Sequence, residues 1–323
     1  MTEHLAKSAF NQGSSLSFLW LELTNRCNLE CSHCYSDSSP RSVDAAPLSL
    51  AQYQALLSEA ASLGCKEVQF IGGEPTLNKN LAALIKFASE MGYRRIEVFT
   101  NLVALSEKLL NDFVRHDVKV ATSIYSYDAA VHDDITGRAG SWKRTIRNVR
   151  AVLDSGLELR VAVIVMGQNR HQVPETLDWL QSLGVKNFGT DEQREFGRAN
   201  LSGDCDMGEL CGQCGHGTLC VDPQGTVSPC IMSKAWSVGT AVERGLGDIV
   251  ASETLREVRE RIRQATEAKG DDPMSDCQPT SPFRCGPDTG QPCYPCSPSS
   301  HCPPNGCQPN SRSSPEHASF AAP

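Results

Sequence analysis

Three cysteines, Cys27, Cys31 and Cys34, lie within eight residues of one another, directly after the apolar segment 16–23. An apolar run of this length between polar residues is typical of a buried strand. The cysteines therefore follow the carboxyl end of a strand, which is where barrel enzymes carry their catalytic loops. Three thiolates on one short loop suit a metal site that leaves one coordination position open.

Short apolar segments alternate with helical patterns between residues 16 and 191. The predicted strands are 16–23, 66–71, 95–99, 118–124, 157–165 and 185–188, and the predicted helices are 49–63, 78–91, 106–116, 141–154 and 173–183. This alternation predicts a parallel sheet with right-handed crossovers. Six repeats fit an open doubly wound sheet or an incomplete barrel. Polar residues at nearly every strand end favour the second, a partial (β/α)6 TIM-like barrel of the α/β class.

The composition changes after residue 201, where glycine, proline and cysteine become more frequent and the alternation stops. A hairpin is predicted at 218–229 and a helix at 252–268. The segment 270–310 holds six cysteines and little apolar surface, so we expect metal ligation to hold it together. The predicted organisation is a flexible leader (1–15), a partial barrel (16–200), a small Cys-rich domain (201–310) and a disordered tail (311–323).

Cysteine usage and charge restrict the class of protein. The chain has 15 cysteines, and 11 of them lie between residues 205 and 307. No signal-peptide core is present, and no apolar run approaches the roughly 18 residues of a membrane span, so we predict a cytoplasmic protein without a membrane partner. In a reducing cytosol, clustered cysteines are metal ligands more often than disulfides. The net charge of −8 argues against a nucleic-acid partner.

The spacing of the first three cysteines separates two kinds of metal site. Structural zinc sites usually combine two C-x2-C pairs and four ligands. A C-x3-C-x2-C loop without a nearby partner pair favours a [4Fe–4S] cluster with one exposed iron. The segment Gly72-Gly73-Glu74-Pro75, at the end of the second predicted strand, supports this interpretation because two glycines let a ligand approach the backbone closely.

The cysteine loop together with Gly72-Gly73-Glu74-Pro75 resembles the motifs of the radical S-adenosylmethionine (SAM) enzymes. The resemblance covers residues 16–200. It implies that Cys27, Cys31 and Cys34 hold three irons of a [4Fe–4S] cluster, while the amino and carboxylate groups of SAM chelate the fourth. An electron from the cluster would cleave SAM to a 5′-deoxyadenosyl radical, which takes a hydrogen atom from the substrate.

The resemblance also implies contacts to SAM near the first two strands. His33 is at the position where the family usually has an aromatic side chain that contacts the adenine. Gly72 and Gly73 would expose their backbone to the methionine end of SAM. Glu74 would bind the ammonium group of the methionine.

Later strand ends supply further SAM contacts implied by the resemblance. Asn101 belongs to a Thr-Asn pair like that of the family, although Leu102 replaces the usual glycine. Ser123 matches a residue that bonds the ribose or the methionine carboxylate. Arg194 lies in a stretch, 191–198, where an arginine reaches that carboxylate. The alternative role for Asn101 and Ser123 is that of a helix cap.

Three further residues are not assigned to the SAM site. His132 and Arg138 belong to a polar segment that we interpret as a surface loop, with contact to the substrate as the alternative. Cys65 stands apart from the other cysteines and is predicted to be a buried core thiol.

The second group of cysteines resembles the SPASM extension of radical SAM enzymes, which carries auxiliary [4Fe–4S] clusters. The pattern is C-x10-G-x4-C at 214–230, then C-x2-C-x5-C at 293–302, and it departs from the family because the next step is x4 and no later cysteine follows. The implied ligands are Cys211, Cys214, Cys230 and Cys307 for one cluster, and Cys285 (or Cys277), Cys293, Cys296 and Cys302 for another, with Cys205 and Cys220 as spare or alternative ligands. A structural zinc ribbon is the alternative.

SPASM-bearing enzymes mostly modify peptides and proteins. The resemblance therefore implies maturation of a ribosomally synthesised precursor peptide, by a crosslink, a thioether or an epimerisation, with flavodoxin or ferredoxin as electron donor. Few residues precede the first predicted strand, so the barrel mouth or a separate protein would bind a leader peptide. The alternatives are a dehydrogenase, decarboxylase or epimerase of a sugar, nucleoside or aminoglycoside, and a non-enzymatic electron-transfer or cluster-carrier protein.

Overall fold

The computed structural model of the chain describes residues 16–45 and 47–269. The predicted leader and tail lie outside these residues. Six predicted or alternative auxiliary-cluster ligands also lie outside them, namely Cys277, Cys285, Cys293, Cys296, Cys302 and Cys307. The auxiliary ligands that have a described position are therefore those between residues 205 and 230.

The described residues form strands, α-helices and short 3-10 turns. The strands are β1 (Phe18–Glu22), β2 (Glu67–Ile71), β3 (Arg95–Phe99), β4 (Lys119–Ser123), β5 (Leu159–Val165), β6 (Asn187–Glu192), β7 (Thr218–Val221), β8 (Thr226–Ser228) and β9 (Gly239–Thr240). The helices are α1 (Leu50–Ser62), α2 (Leu81–Glu90), α3 (Glu107–Arg115), α4 (Ala129–Thr136), α5 (Ser141–Asp154), α6 (Val173–Ser182), α7 (Ala241–Val250) and α8 (Glu253–Ala268). Among them, no helix has the length and apolar character needed to cross a membrane.

All nine strands belong to one sheet, in the order β6-β5-β4-β3-β2-β1-β7-β8-β9. Strands β1 to β6 pair in parallel with their neighbours, which confirms the predicted parallel α/β architecture. The predicted hairpin is β7–β8, and its first strand pairs in parallel with β1. The sheet therefore continues across residue 201, and the division into two domains there stays a prediction.

Helix α4 occupies part of the segment that we interpreted as a polar loop. Asp128 caps its first turn by accepting from the amides of Ala130 and Val131. Gly137 ends it in the left-handed conformation, at φ 65°. The prediction of a loop is wrong for residues 129–136. The helix there has only eight residues between its caps, Asp128 and Gly137, so its apolar periodicity is too short to stand out in the sequence. The helix contacts the cysteine loop, whose Glu30 amide donates to the Thr136 carbonyl at 3.1 Å.

The strand register places two kinds of side chain on opposite sides of the sheet. One side is apolar and joins the main hydrophobic core through Leu19, Val68, Ile96, Val98, Val120 and Val161. The other side, which we call the polar face, carries Glu22, Gln69, Glu97, Ser123 and Arg160. Period-two alternation in a strand produces this separation, so the polar face is a consequence of the sequence pattern.

Glu97 is the centre of a buried charge network on the polar face. Its carboxylate pairs with Arg160 at 2.7 Å and with Arg95 at 3.0 Å, and it also accepts a hydrogen bond from Gln69. Glu97 is fully buried, and the Arg160 side chain is 4% exposed. Two buried opposite charges stabilise each other only while both are present.

We expect Glu97→Ala to lower the free energy of unfolding by about 3–5 kcal/mol, because it leaves Arg160 buried without its counter-charge. Glu158→Ala is the matched control: Glu158 also pairs with Arg95, but it is 41% exposed, and its loss should change stability by less than about 1 kcal/mol. Chemical denaturation of the two variants measures the difference. Equal destabilisation of both would contradict the role given to burial.

Candidate functional site

The Gly72-Gly73 segment at the end of β2 lies directly against the cysteine loop that follows β1. The Gly73 amide donates to the Thr24 carbonyl at 2.7 Å, and the Glu74 amide donates to the Arg26 carbonyl at 2.9 Å. A Cβ added at Gly73 would lie 2.3 Å from the Arg26 carbonyl oxygen, and Gly72 has a φ of +124°. Both glycines are therefore required for the two loops to meet. The predicted contacts of their backbone with SAM stay predictions.

Glu74 connects the end of β2 to the end of β3. Its carboxylate is fully buried and accepts from the Thr76 amide at 3.0 Å, the Thr100 hydroxyl at 2.7 Å and the Asn101 amide at 2.8 Å. Burial raises its pKa, and these hydrogen bonds oppose the rise. Glu74 therefore holds the Asn101 loop in place, and a contact with the ammonium of SAM would be additional to these bonds.

Two thiols of the cysteine loop, those of Cys27 and Cys34, accept hydrogen bonds from nearby backbone amides. Cys27 accepts from the Leu29 amide at 3.4 Å and faces the Asn101 side-chain amide at 3.6 Å. Cys34 accepts from the Ser38 amide at 3.4 Å. Hydrogen bonds of this kind are typical around thiolates that ligate metals, since they stabilise negative charge on sulfur. Cys27, Cys31 and Cys34 are all free of disulfides.

The donor set fits a cluster with one open corner. Burial, together with the proximity of the other thiols, raises the pKa of Cys27 and of Cys31 to about 12. Thiolates form at such a place only when a cation compensates their charge, and iron supplies that charge. In residues 16–45 and 47–269, no three Cys, His, Asp or Glu side chains converge closely enough for a single metal ion; a four-iron cluster is larger and binds its ligands at separate corners.

The residues after β6 close over the same loop. The Arg198 amide donates to the Cys34 carbonyl at 2.9 Å, and its guanidinium donates to the carbonyls of Cys31 and Ser38. A Cβ at Gly197 would lie 2.3 Å from the Cys34 carbonyl oxygen. Arg198 therefore fixes the backbone that carries two of the thiols, and it was not among the predicted site residues.

Arg194, the predicted ligand of the SAM carboxylate, has other contacts. Its guanidinium lies 3.6 Å from the Asp191 carboxylate and donates to the Glu209 carbonyl at 3.3 Å. Of the two arginines in the stretch 191–198, it is Arg198 that reaches the cysteine loop, and spacing alone did not reveal this. The role of Arg194 toward SAM stays a prediction.

His33 has the properties expected of a partner for a purine ring. Burial and the nearby positive charge of Arg198 lower its pKa to about 4, so the ring is uncharged near neutral pH. Its Nδ1 is buried and has no hydrogen-bond partner among the described residues. This nitrogen is therefore available to bond a water molecule or a ligand. The contact with adenine stays a prediction.

The segment that follows β4 contacts the loop through residues that were not among the predicted SAM or cluster ligands. Tyr125 packs edge-on against His33, with ring centroids 4.8 Å apart. His132 is buried, with its Nδ1 3.4 Å from the Tyr125 amide, so the prediction of a surface residue is wrong. Arg138 donates to the Asn28 carbonyl at 2.7 Å. The cap residues Asp128 and Gly137 are the sequence feature that could have predicted helix α4. The end of this helix contacts the cysteine loop.

The second group of cysteines also converges. Cys214 and Cys230 have their sulfurs 3.1 Å apart, and Cys211 interacts with Cys214. All three are buried: Cys211 and Cys214 precede β7, and Cys230 follows β8. Cys220 is buried within β7, Cys205 is exposed, and Cys65 is 1% exposed, which confirms it as a core thiol. Three predicted ligands of the first auxiliary cluster are thus close together, and the fourth, Cys307, lies outside the described residues.

Comparison with known proteins identifies the class to which this site belongs. The radical SAM superfamily profile matches residues 21–180, and the profile of the SPASM iron–sulfur cluster-binding domain matches residues 202–279. The chain belongs to the radical SAM superfamily and carries a SPASM domain. Its cofactors are accordingly a [4Fe–4S] cluster, SAM and auxiliary iron–sulfur clusters.

Curated relatives cover part of the chain. It is 28% identical over 179 residues to the antilisterial bacteriocin subtilosin biosynthesis protein AlbA of Bacillus subtilis (strain 168), which is 55% of this chain and 39% of AlbA. It is 30% identical over 202 residues to the PqqA peptide cyclase of Rhodopseudomonas palustris, which is 62% of this chain and 52% of the cyclase. The chain thus spans about half the length, or less, of these relatives.

The fold is also that of a solved structure. The crystal structure of Streptococcus suis SuiB bound to S-adenosylmethionine superposes with a TM-score of 0.63 over 77% of this chain and 68% of SuiB. The sequence identity is 17%, so the similarity concerns the fold.

We expect Gly73→Ala to disrupt the cysteine loop, because its new methyl group would overlap the Arg26 carbonyl oxygen. Relieving an overlap of this size typically costs about 1–3 kcal/mol, and we expect iron to be lost from the first cluster. Gly167→Ala is the matched control, since a Cβ there meets nothing within 4 Å and its φ is not positive. Iron and sulfide content after anaerobic reconstitution measures the effect. A full iron complement in Gly73→Ala would contradict it.

Proposed function

We propose that the protein is a radical SAM maturase that modifies a residue of a ribosomally synthesised peptide. One observation carries the proposal: the loop after β1 that holds three thiols is fixed at Arg26 by the Gly73 backbone and at the Cys31 and Cys34 carbonyls by Arg198. The superfamily of the chain places its cluster on such a loop. The peptide substrate is supported by the relatives, which include a peptide cyclase and a bacteriocin biosynthesis protein, and by SuiB, which was also crystallised with the precursor peptide SuiA.

In this proposal the cluster and SAM, when bound, supply the electron transfer and the hydrogen-atom abstraction. The chain itself holds and shields them. Cys27, Cys31 and Cys34 ligate three irons, and their backbone is held by Gly73 and Arg198. Cys27 is buried and Cys31 and Cys34 are half-buried, which limits the access of water to the reacting groups.

SAM would lie between the ends of β1 to β6. Support for His33 comes from its unpartnered Nδ1, and support for Asn101 from the nearness of its side-chain amide to Cys27. Ser123 ends β4 on the polar face, and Arg194 keeps Asp191 as its counter-ion. Gly72, Gly73 and Glu74 would form the wall beside the methionine end of SAM.

The auxiliary clusters belong to the C-terminal part in this proposal. Cys211, Cys214 and Cys230 supply three ligands of the first cluster, and Cys307 the fourth. The second would be held by Cys285, Cys293, Cys296 and Cys302. A boundary near residue 201 separates this part from the barrel, with a leader at 1–15 and a tail at 311–323. A flavodoxin or ferredoxin as electron donor, a separate leader-binding protein and a cytoplasmic location complete the proposal.

Cys31→Ala should abolish SAM cleavage, because the cluster then loses one of its three protein ligands, while auxiliary iron remains bound. The measurement is 5′-deoxyadenosine formed by reconstituted, dithionite-reduced protein, together with iron content. Cys65→Ala is the matched control, since this thiol is buried at the opposite end of β2 and should leave cleavage unchanged. If Cys31→Ala still cleaves SAM, or if its iron content falls to zero, the arrangement of one SAM-binding cluster and separate auxiliary clusters is contradicted.

The substrate is tested by co-expression with short peptides encoded beside the gene. A crosslink or thioether removes two hydrogen atoms from the peptide, and an epimerisation in D2O introduces one deuterium; mass spectrometry detects both. Either result is expected only with the wild-type protein and not with Cys31→Ala. If the peptides stay unmodified while a sugar or nucleoside is turned over with SAM, the small-molecule alternative replaces the peptide proposal.

A further inference from the structure

Helix α5 carries a run of basic side chains in a chain whose net charge is −8. The segment 135–153 contains five arginine and lysine residues and no acidic residue. Four of the five are exposed on α5, and we call them the basic face: Lys143, Arg144, Arg147 and Arg150. Within the part of the chain that the structure describes, none of the four forms an ion pair. The Asp133 carboxylate at the start of α5 accepts instead from the Ser141 hydroxyl and the Trp142 amide, both at 2.8 Å.

The basic face works against the stability of its own helix. At 3.6 residues per turn its four members share one side of α5. Lys143 and Arg147 are four residues apart, and Arg147 is three residues from Arg144 and from Arg150, so these neighbours repel one another. Lys143 also lies in the first turn, where the positive end of the helix dipole favours acidic residues. An arrangement that opposes local stability is expected at a functional surface.

Helix α8 shows the opposite arrangement. It contains four arginines and four glutamates. Arg263 pairs with Glu260 and with Glu267 at 2.6 Å, and Arg256 pairs with Glu253 at 3.7 Å. Charges of alternating sign are typical of a solvated helix face, and here they cancel. Exposed arginines are therefore found on both helices, but on α5 they are without acidic neighbours along the helix.

The buried side of α5 lies beside the cysteine loop. The Thr145 hydroxyl donates to the Asn101 carbonyl at 2.9 Å, and the Asn101 side chain donates to the Asn28 side chain at 2.6 Å. Asn28 belongs to the cysteine loop. Because an α-helix is about 10 Å across, a molecule on the basic face is separated from this loop by little more than one helix and one residue.

We propose that the basic face is the docking surface for a small acidic electron-transfer protein that reduces the SAM-binding cluster. One electron passes from the reduced partner to the cluster, so the partner is oxidised by one electron, the cluster is reduced by one, and no bond forms or breaks. The inference rests on the proposed function, from which it takes the cluster that requires an electron, and it adds the place where the donor binds.

Charge supports an acidic protein as the occupant. The net charge of −8 repels such a partner from the protein as a whole, so attraction at one basic face determines where it binds. The same net charge argues against a nucleic acid. The proximity of α5 to the cysteine loop distinguishes an electron donor from a partner without a redox role.

The double variant Arg144→Gln/Arg147→Gln tests the docking surface. Its matched control is Arg256→Gln/Arg261→Gln on α8, which changes the net charge by the same amount. The probe is a bacterial flavodoxin, and its affinity for the reconstituted protein is measured by calorimetry at low and at high salt. We expect the α5 variant to bind about tenfold more weakly at low salt and the control to bind like the wild type. High salt should remove the difference, since it screens exposed charges.

A kinetic readout connects docking with electron transfer. Formation of 5′-deoxyadenosine should slow in the α5 variant when reduced flavodoxin is the electron source and stay unchanged with dithionite, which needs no docking surface. If the wild type forms none with dithionite, the proposed function fails, while the calorimetric comparison still decides the docking surface. The two failures are therefore distinguishable.

Three results would overturn the inference: no salt-dependent binding of flavodoxin by the wild type, equal binding by the α5 variant and the wild type, or an equal loss in both double variants. A loss of affinity confined to a precursor peptide would also overturn it, because the face would then be a peptide site. Arg144→Lys/Arg147→Lys keeps the charge and should restore binding. Removing repelling charges should leave α5 at least as stable, which thermal unfolding checks.

Discussion

The site depends on a backbone contact between two neighbouring strand ends. Gly73 lies so near Arg26 that no side chain fits between them, and its amide donates to the Thr24 carbonyl. Because β1 and β2 are parallel neighbours, this contact fixes where the cysteine loop starts relative to the sheet. The contacts made by α4, by Asn101 and by the residues after β6 all reach a loop whose starting point is already defined.

Buried charge connects this loop to the C-terminal part of the chain. Glu22, at the end of β1, is buried and pairs with Lys234 at 2.6 Å. Tyr35, which directly follows Cys34, donates to the same carboxylate at 3.3 Å. Burial raises the pKa of Glu22, and Lys234 opposes the rise. A buried carboxylate that loses its partner is strongly destabilising, so the segment after Cys230 is held against β1.

Local signals in the sequence predicted most of the fold. The strands and most helices follow from apolar periodicity and caps, and the parallel pairing of β1 to β6 follows from their alternation. Helix α4 was missed because it has only eight residues and ends at Gly137. Helix α7 was missed because it contains Gly247 and Gly245, the latter at φ 76°. Arg198 donates to the carbonyls of Cys31 and Ser38, and sequence spacing alone did not single it out.

The sequence by itself determined the alternating architecture, the loop that carries three thiols and the class of cofactor, because periodicity and spacing depend on residues that are close in the chain. Only the tertiary structure decided which side chains surround those thiols. Asn101 and Arg198 reach the cysteine loop across 74 and 167 residues. Tyr125, from the segment after β4, packs against His33 of the same loop. Such contacts depend on strand order and register, and no local pattern encodes them.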